Sequence, residues 1–569
     1  MNPSNLCFRS SLIVAALSLF VIPTATAALA QATNRQIGTQ FEVTADPVVP
    51  RPHGQPCKVQ LFTGYTFAFF SDTTQTFQFT PPASCTGPWK KVVFEANFSE
   101  NGGAQFDRTA SMFLGNTNVY FGTTPEPLAV LTNTWHVERD VTDYSALLAA
   151  PQAGTIVLGN CTTDCPPPYN TLNGVFTVDA DLEFYPLEQG ESAPKGIPDV
   201  VLPVEQSNGS GGFNLPAYVY LPTDQFSTTF TLPTNVERAY LDVISQSQSA
   251  DEQWYGCFPN DLSAINEVYG CGNTDFRETE ITIDGQPAGI SPVSAWVYTG
   301  FLPDQWVPSP GIQTLEFVPY RVDLTPFASL LSNGTPHTVS LSLFNDYGYF
   351  AETASLLLFL DKGSTQVTGA MTQNTLAAPS PIVKENLKGT STVTGTIGVV
   401  SDRKFTIAGY VNTSHGKVST TVEQHQHFHS TQAIDFDTVN FTVLNQKTSV
   451  ENRVSSVTTV SEHGGTVVNH TDFSFPITVD FIYPVSTSPF GFTVSTSQVY
   501  SLNEKTTQNG SLRAFSSVND SGKATDVSPA MSTQEYTTYN SSGRFYDCHI
   551  TSKDNTLTNV SQGCAPDKH

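Results

Sequence analysis

QFDRTASMFLG, residues 105–115, places an Asp–Arg pair directly before a run of residues that is typical of a β-strand. A second stretch, FRETEITIDG at residues 276–285, repeats this layout with the acid and the arginine in exchanged order. Each copy is followed by one further matching segment, RDVTDYSALL at 139–148 and RVDLTPFASLL at 321–331. Aligning Asp140 with Asp323 separates the two copies by 183 residues. Two halves that share landmarks in the same order predict a duplicated domain.

The composition predicts an all-β fold. Hydrophobic residues make up 39% of the 569 residues and aromatic residues 11%, so the chain can form a sizeable core. Phenylalanine and tyrosine favour strands, and the 38 prolines and 39 glycines are spread along the chain as turn residues. Long segments with helical periodicity are missing after the N-terminus, which also favours strands.

Strand-like segments fall into three regions of the chain. Residues 57–186 and 213–362 each have the length and strand spacing of a jelly roll or β-sandwich, and a linker rich in Pro, Gly and Ser lies between them. Residues 380–569 are richer in Thr, Ser and Val and alternate as long antiparallel strands do. The sequence therefore predicts two tandem jelly-roll-like domains side by side and a C-terminal β-rich domain.

The N-terminus and the charge indicate an exported protein. Residues 1–30 resemble a secretory signal peptide, with Arg9, an apolar run and small residues at a cleavage site. A net charge of −25 argues against nucleic acid or an anionic membrane as a partner. We therefore expect a secreted or periplasmic protein. The sequence leaves its oligomeric state open.

The cysteines predict disulfides. Eight remain after the signal segment, an even number that is typical of an exported chain. Proximity favours four local pairs: Cys57–Cys85, Cys161–Cys165, Cys257–Cys271 and Cys548–Cys564. The Cys161–Cys165 spacing also fits a metal site, although no second such pair lies nearby to complete the four ligands of a structural zinc.

The histidines of HQHFH, residues 425–429, form a second metal candidate. Alternate residues of a strand share one face, so the three imidazoles would line up there. Because the sequence offers no closing ligand, we interpret this segment as a solvated strand face.

Carboxylates beside arginine or aromatic residues are the remaining candidates for chemistry. The sequence has no nucleophile elbow, zincin motif or phosphate-binding glycine loop. Unequal carboxylates can divide the work of base and acid, and aromatic surfaces suit sugar rings. The candidates are Asp107 with Arg108, Glu126 in a proline-flanked turn, Arg277 with Glu278, Glu252 beside Trp254, and Trp306. A buried ion pair remains an equal alternative for Asp107 and Arg108.

Taken together, these segments resemble the acid-active peptide N-glycanase A family. The matching pieces keep their order over nearly the whole mature chain: QFDR at 105–108, TPEP at 124–127, DVT at 140–142, EQWY at 252–255, RE at 277–278, IDG at 283–285, YTG at 298–300, LTPF at 324–327 and GYVNTSHG at 409–416. A more distant similarity is to the two-domain peptide N-glycanases of flavobacteria, which implies two jelly rolls with the site at their interface.

The resemblance implies roles for several residues. Asp107 would be the essential carboxylate, and Glu278 is the best match to an assisting glutamate in the second domain. A further glutamate of the first domain has its nearest counterpart at Gly159-Asn160, which lacks a carboxyl, so Glu126 takes that role or the role is missing. Arg108 would orient the substrate or stabilise an oxyanion. From their residue types, we also expect Arg277, Glu252, Trp254 and Trp306 to contact the substrate.

The implied activity is hydrolysis of the amide between asparagine and the first N-acetylglucosamine of an N-glycan, without metal or cofactor. N-glycosylated peptides and glycoproteins would be the partners. Two alternatives remain open, a non-catalytic glycan-binding protein and a glycosidase with two carboxylates.

Overall fold

The computed structural model of the chain describes residues 37–564 with short gaps. The gaps are 70–71, 127–128, 161–171, 195, 206–215, 265–270, 297–302, 440–442, 485–494, 526–527, 541–542 and 544. Residues 1–30, the expected signal segment, and the pair Cys161–Cys165 therefore lie outside the described residues.

The first eight strands form two facing sheets. They are β1 (Cys57–Phe67), β2 (Thr74–Phe79), β3 (Trp89–Asn101), β4 (Thr109–Leu114), β5 (Thr117–Thr123), β6 (Asn133–Asp140), β7 (Gln152–Leu158) and β8 (Val175–Pro186). One sheet has the order β1-β8-β3-β6 and the other β2-β7-β4-β5. All of these pairings are antiparallel, and the order is that of a jelly roll.

The following strands repeat this topology. They are β9 (Val200–Val204), β10 (Ala217–Val219), β11 (Phe226–Phe230), β12 (Val236–Gln248), β13 (Glu278–Ile283), β14 (Gln286–Pro292), β15 (Tyr320–Asp323), β16 (His337–Phe344) and β17 (Tyr349–Leu360). Their sheets have the orders β10-β17-β12-β15 and β11-β16-β13-β14, and β9 adds to β17. With β9 set aside, each strand of the second jelly roll has a counterpart in the first.

The duplicated sequence landmarks occupy equivalent places. Asp140 ends β6 and Asp323 ends β15, which are edge strands at matching positions. Each aspartate accepts a hydrogen bond from the backbone N–H of a threonine two residues later, Thr142 at 3.0 Å and Thr325 at 2.9 Å. A short 3₁₀ helix follows in both copies, Thr142–Tyr144 and Thr325–Phe327. The shared local geometry explains why this part of the repeat is visible in the sequence.

The two jelly rolls pack through β4 and β5 of the first and β12 of the second. Gln246 and Gln248 of β12 both lie 3.2 Å from Thr109 Oγ1 at the start of β4. Within β5, the carbonyl of Phe121 accepts a hydrogen bond from the backbone N–H of Phe317 at 2.8 Å. The start of β4 and the end of β12 therefore meet, and this position places the candidate site.

The remaining strands form one large antiparallel sheet. They are β18 (Thr368–Asn374), β19 (Ile382–Lys388), β20 (Thr392–Thr413), β21 (Gly416–Asp437), β22 (Val443–Glu462), β23 (Gly465–Ser474), β24 (Ile477–Pro484), β25 (Ser495–Gln508), β26 (Ser511–Thr525), β27 (Ser528–Asn540), β28 (Phe545–Lys553) and β29 (Thr556–Val560). The helices in the described residues are short: α1 (Asn260–Ser263), α2 (Ala328–Leu331), and 3₁₀ turns at Leu147–Ala149, Ser249–Asp251, Trp254–Gly256, Pro303–Trp306 and Gln562–Cys564 in addition to the two above.

Buried polar side chains join this large sheet to the second jelly roll. Gln432 of β21 donates to Asp275 Oδ2 at 2.9 Å, and Ser430 Oγ donates to Asp275 Oδ1 at 2.8 Å. Trp306 Nε1 donates to Gln498 of β25 at 3.1 Å. Because buried polar groups need partners, these bonds fix the large sheet against the second jelly roll.

The predicted fold class is confirmed: the described chain is all-β, with two jelly rolls and a C-terminal β-rich region. The domain boundaries 57–186, 213–362 and 380–569 stay our proposal. Three predicted disulfides are also confirmed, namely Cys57–Cys85, Cys257–Cys271 and Cys548–Cys564. Within the described ranges, no helix has both the length and the apolar character needed to cross a membrane.

Candidate active site

Asp107 lies in an extended segment two residues before β4, and its neighbours lock that segment in place. The side-chain amide of Gln105 donates to Asn160 Oδ1 at 2.6 Å and to the carbonyl of Gly174 at 3.0 Å. Its carbonyl oxygen accepts from Arg108 Nε at 2.9 Å and from Nη2 at 2.6 Å. Asn160 therefore has a structural role here, as the anchor of the motif.

The charges around Asp107 form a compact group. Partial burial raises the pKa of Asp107 to about 6, and the positive charge of Arg108 limits the rise. Burial lowers the pKa of Arg108, while the negative charges of Asp107 and Glu126 oppose that change. Arg108 therefore lies within electrostatic reach of two carboxylates, and its guanidinium also sits 5.7 Å from the ring centre of Phe106.

Glu252 is the carboxylate that the second jelly roll presents to Asp107. It follows β12 and the 3₁₀ turn Ser249–Asp251, and it is half-buried. Burial, and then the negative charge of Asp107, raise the pKa of Glu252 to about 8. Two carboxylates from different jelly rolls thus share one site, with unequal affinity for a proton.

A buried ion pair holds the turn that carries Glu252. Asp251 is fully buried, and its Oδ1 accepts from Arg277 Nε at 3.0 Å and Nη2 at 2.7 Å. Its Oδ2 accepts from the backbone N–H groups of Tyr347 and Gly348, both at 2.6 Å. Arg277 donates further to three backbone carbonyls. Arg277 is itself fully buried, so we reassign it from substrate contact to positioning of this turn.

Glu278 does not lie with Asp107, although the resemblance implied that it would assist Asp107. The next residue, Thr279, points into the second jelly roll, where its Oγ1 lies 2.7 Å from Ser245 Oγ. Because alternate residues of a strand face opposite ways, Glu278 points out of the other face and pairs with Arg403 of β20. Burial raises the pKa of Glu278 to about 7, and the charged groups that act on it are Arg403 and Glu280.

The two tryptophans expected to contact substrate are also buried. Trp254 packs beside Tyr255 and Phe428, and its ring has no exposed surface. Trp306 is equally buried and is bonded to Gln498 of the large sheet, as described above. Both rings are part of the core, so the structure supports neither as a surface for sugar.

Three tyrosines that the sequence analysis did not single out form a cluster, and one of them, Tyr349, lies within electrostatic reach of Glu252. The ring centres of Tyr218, Tyr220 and Tyr349 lie 5.3–6.4 Å apart. Tyr220 is 53% exposed, and the charge of Glu252 contributes to the raised pKa of Tyr349. The alternation of AYVY at 217–220 and DYGY at 346–349 was the signal that could have found them.

Comparison with known proteins identifies the family of the chain. The model of the family "Peptide N-acetyl-beta-D-glucosaminyl asparaginase amidase A" matches residues 47–375. A relative from Prunus dulcis, a peptide-N4-(N-acetyl-beta-glucosaminyl)asparagine amidase A, is 27% identical over 465 residues, which are 78% of this chain and 77% of the relative.

The chain also resembles solved structures, among them the following two. PNGase F, a glycosylasparaginase from Flavobacterium meningosepticum, covers 54% of this chain and 96% of its own, at 17% identity and a TM-score of 0.35. PNGF-II covers 54% of this chain and 65% of its own, at 14% identity and a TM-score of 0.37. The family match spans more than half of the chain and contains both Asp107 and Glu252. The chain therefore belongs to the peptide N-acetyl-β-D-glucosaminyl asparaginase amidase A family.

Proposed function

We propose that this chain is a peptide N-glycanase that hydrolyses the amide between an asparagine side chain and the first N-acetylglucosamine of an N-glycan. The single observation that carries the proposal is the pairing of Asp107 with Glu252, in a chain of this family. The two groups come from different jelly rolls and differ in proton affinity, as the base and the acid of an amide hydrolysis must.

Asp107 is the base in this proposal. With the lower pKa of the pair, it is the group that ionises first and takes a proton from water. The hydroxyl then adds to the amide carbon of the asparagine. Glu252, still protonated, gives its proton to the leaving nitrogen as the C–N bond breaks. The products are an aspartate on the peptide and a glycosylamine on the glycan.

Arg108 and Glu126 support this reaction. The guanidinium of Arg108 is fixed by Gln105 and lies beside Asp107, so it can stabilise the oxyanion that forms on the amide carbonyl. Glu126 acts on the same guanidinium and helps to orient it. We keep Glu126 as a positioning residue and assign the proton donor to Glu252 instead of Glu278.

The tyrosines supply the glycan side of the site. Tyrosine combines an apolar ring face with a hydroxyl, and a sugar ring combines an apolar C–H face with hydroxyls. Tyr218, Tyr220 and Tyr349 therefore offer a surface for the sugar next to Glu252. N-glycosylated peptides and glycoproteins are the partners that this arrangement accepts.

We further propose that the protein acts outside the cytoplasm. The three disulfides support an oxidising compartment, because such bonds are rare where thiols are kept reduced. A secreted or periplasmic place also brings the enzyme to glycoproteins.

One release assay tests the function. A peptide with a single N-glycan is incubated with the full-length protein, and both products are identified by mass spectrometry. The proposal expects a peptide with aspartate at the former glycosylation site and a glycan that retains both core N-acetylglucosamines. A peptide that retains one N-acetylglucosamine would indicate a glycosidase, and binding without cleavage would indicate a lectin. The variant Asp107→Asn is the matched control, because it keeps the shape and removes the base.

A further inference from the structure

We propose that Asp402, His425 and His427 form a binding site for a divalent transition-metal ion of the Zn²⁺ type on the exposed face of the large C-terminal sheet. The site is independent of the proposed amidase centre. The sequence showed the histidines, and the structure supplies the closing ligand that the sequence could not identify.

Strand pairing brings the three side chains together. His425 and His427 are two residues apart on β21, so they share a face. Asp402 of β20 stands directly opposite His427 in the antiparallel register. His425 Nε2 lies 3.0 Å from Asp402 Oδ1, and His427 Nδ1 lies 3.1 Å from Asp402 Oδ2. The three potential ligand atoms all lie within 4.8 Å of one another.

These distances are close to those of a loaded metal site. Nitrogen and oxygen ligands at about 2.1 Å from a tetrahedral Zn²⁺ lie about 3.4 Å apart. The observed contacts need to open by only a few tenths of an ångström. All three side chains are 35–49% exposed, which leaves them room for this adjustment. Two imidazoles and one carboxylate form a ligand set that suits Zn²⁺, with water in the fourth position.

Asp402 is also free to serve a metal. In the part of the chain that the structure describes, its ion pairs are with the two histidines and not with lysine or arginine. The side chain of the adjacent Arg403 lies on the opposite face of the sheet from Asp402, where it pairs with Glu278. Two positive charges oppose a cation at this site: Lys404 stands opposite His425 in the register, and Arg453 of β22 stands opposite His427.

Two other clusters have similar composition but are less suitable. The first cluster consists of Glu95, His136 and Glu138, and both of its glutamates already form ion pairs with Arg51. In the cluster of His415, Glu462 and His463, His415 bonds to glutamates through both ring nitrogens, Glu462 at 2.7 Å and Glu237 at 3.0 Å. That cluster is exposed and contains two histidines, so it provides a matched control.

Calorimetric titration of the full chain with ZnCl₂ at neutral pH tests the site. The protein carries no polyhistidine tag and is treated with a chelator before the titration. We expect one Zn²⁺ per chain, and a higher midpoint of thermal unfolding when the ion is present, because a ligand that binds only the folded state stabilises it. His427→Gln should lower Zn²⁺ affinity at least about tenfold, the lower end of the effect of perturbing a metal site. Asp402→Asn should do the same, and the control His463→Gln should bind as the wild type does.

The variants are compared by circular dichroism and by thermal unfolding without metal, so that a folding defect is recognised. If one exposed variant is misfolded, the other carries the test. The proposal is overturned if the wild type binds no Zn²⁺. It is equally overturned if His463→Gln loses binding while His427→Gln and Asp402→Asn keep it.

Discussion

Replacing Glu252 by glutamine should lower the activity and leave the stability unchanged, whereas replacing Glu278 by glutamine should lower the stability and leave the activity unchanged. Both are glutamates with raised pKa values, and both changes keep the shape and remove the ionisable group. Glu252→Gln removes the proton donor that we place beside Asp107. General acid catalysis contributes at least about a hundredfold, which is about 2.7 kcal/mol of transition-state stabilisation. We expect kcat/KM to fall by that factor while the midpoint of unfolding barely changes, because Glu252 is already neutral near pH 7.

Glu278→Gln should affect the fold instead. Glu278 is fully buried and the side chain of Arg403 is only 12% exposed, so the variant leaves a poorly solvated arginine without its counter-charge. Removing one partner of a buried ion pair costs about 3–5 kcal/mol, and the glutamine oxygen still accepts one hydrogen bond, so we expect about 3 kcal/mol. The midpoint of unfolding should drop by several degrees. The remaining folded enzyme should release glycan at the wild-type rate.

Thermal unfolding and glycopeptide release, both normalised to the folded fraction, measure the two effects. The two variants are controls for each other. Loss of activity in Glu278→Gln at an unchanged unfolding midpoint, together with full activity in Glu252→Gln, would refute the reasoning. It would show that the assisting carboxylate is Glu278, as the family resemblance implied.

Three further predictions concern pH and substrate. The pH profile of kcat/KM should be bell-shaped, rising through about pH 6 as Asp107 ionises and falling through about pH 8 as Glu252 loses its proton. The two apparent pKa values of the profile belong to the pair of carboxylates together. A profile that is flat across this range contradicts the assignment. The free energy of unfolding should decrease as the pH rises from about 4.5 to about 8. Burial raises the pKa of Glu100 and of Glu316 from 4.5 to about 8, so in this range the folded state binds protons that the unfolded state has lost. Denaturant titrations at several pH values check this, and a free energy of unfolding that increases over the same range opposes it. Tyr220→Ala should raise KM for a glycopeptide about three- to tenfold with kcat unchanged, as expected when one aromatic contact is removed; an unchanged KM would remove this tyrosine from the glycan surface.

The repeated topology could be predicted because local sequence determines its landmarks. Asp140 and Asp323 each cap a turn by bonding to a threonine two residues later, and this geometry needs only neighbouring residues. The disulfides close short loops, so proximity in sequence was a sufficient guide for the three pairs that the structure describes.

The partner of Asp107 could not be predicted in the same way. The repeat correctly placed Glu278 at the start of a strand equivalent to β4, but only tertiary contacts decide which face of that strand it occupies. Glu252 was chosen as a substrate contact, and its position depends on the buried pair of Asp251 and Arg277. Arg277 contacts groups up to 26 residues away in sequence, which no local pattern reveals.

The exposure of the aromatic residues was equally a tertiary property. Trp254 and Trp306 are covered by the large C-terminal sheet, whose packing the sequence did not indicate. Tyr220 remains exposed at the end of a short strand. Residue type alone therefore selected two aromatic rings that the structure buries in the core.

Hydrolysis of a glycopeptide in H₂¹⁸O under single-turnover conditions tests the central claim most directly. If Asp107 activates water for attack on the amide, the new aspartate of the peptide should carry one ¹⁸O atom after the first turnover, and the released glycan should carry none at its nitrogen-bearing carbon. A peptide without the label after the first turnover would contradict the account, because the oxygen would then have come from the enzyme or the bond broken would not be the amide.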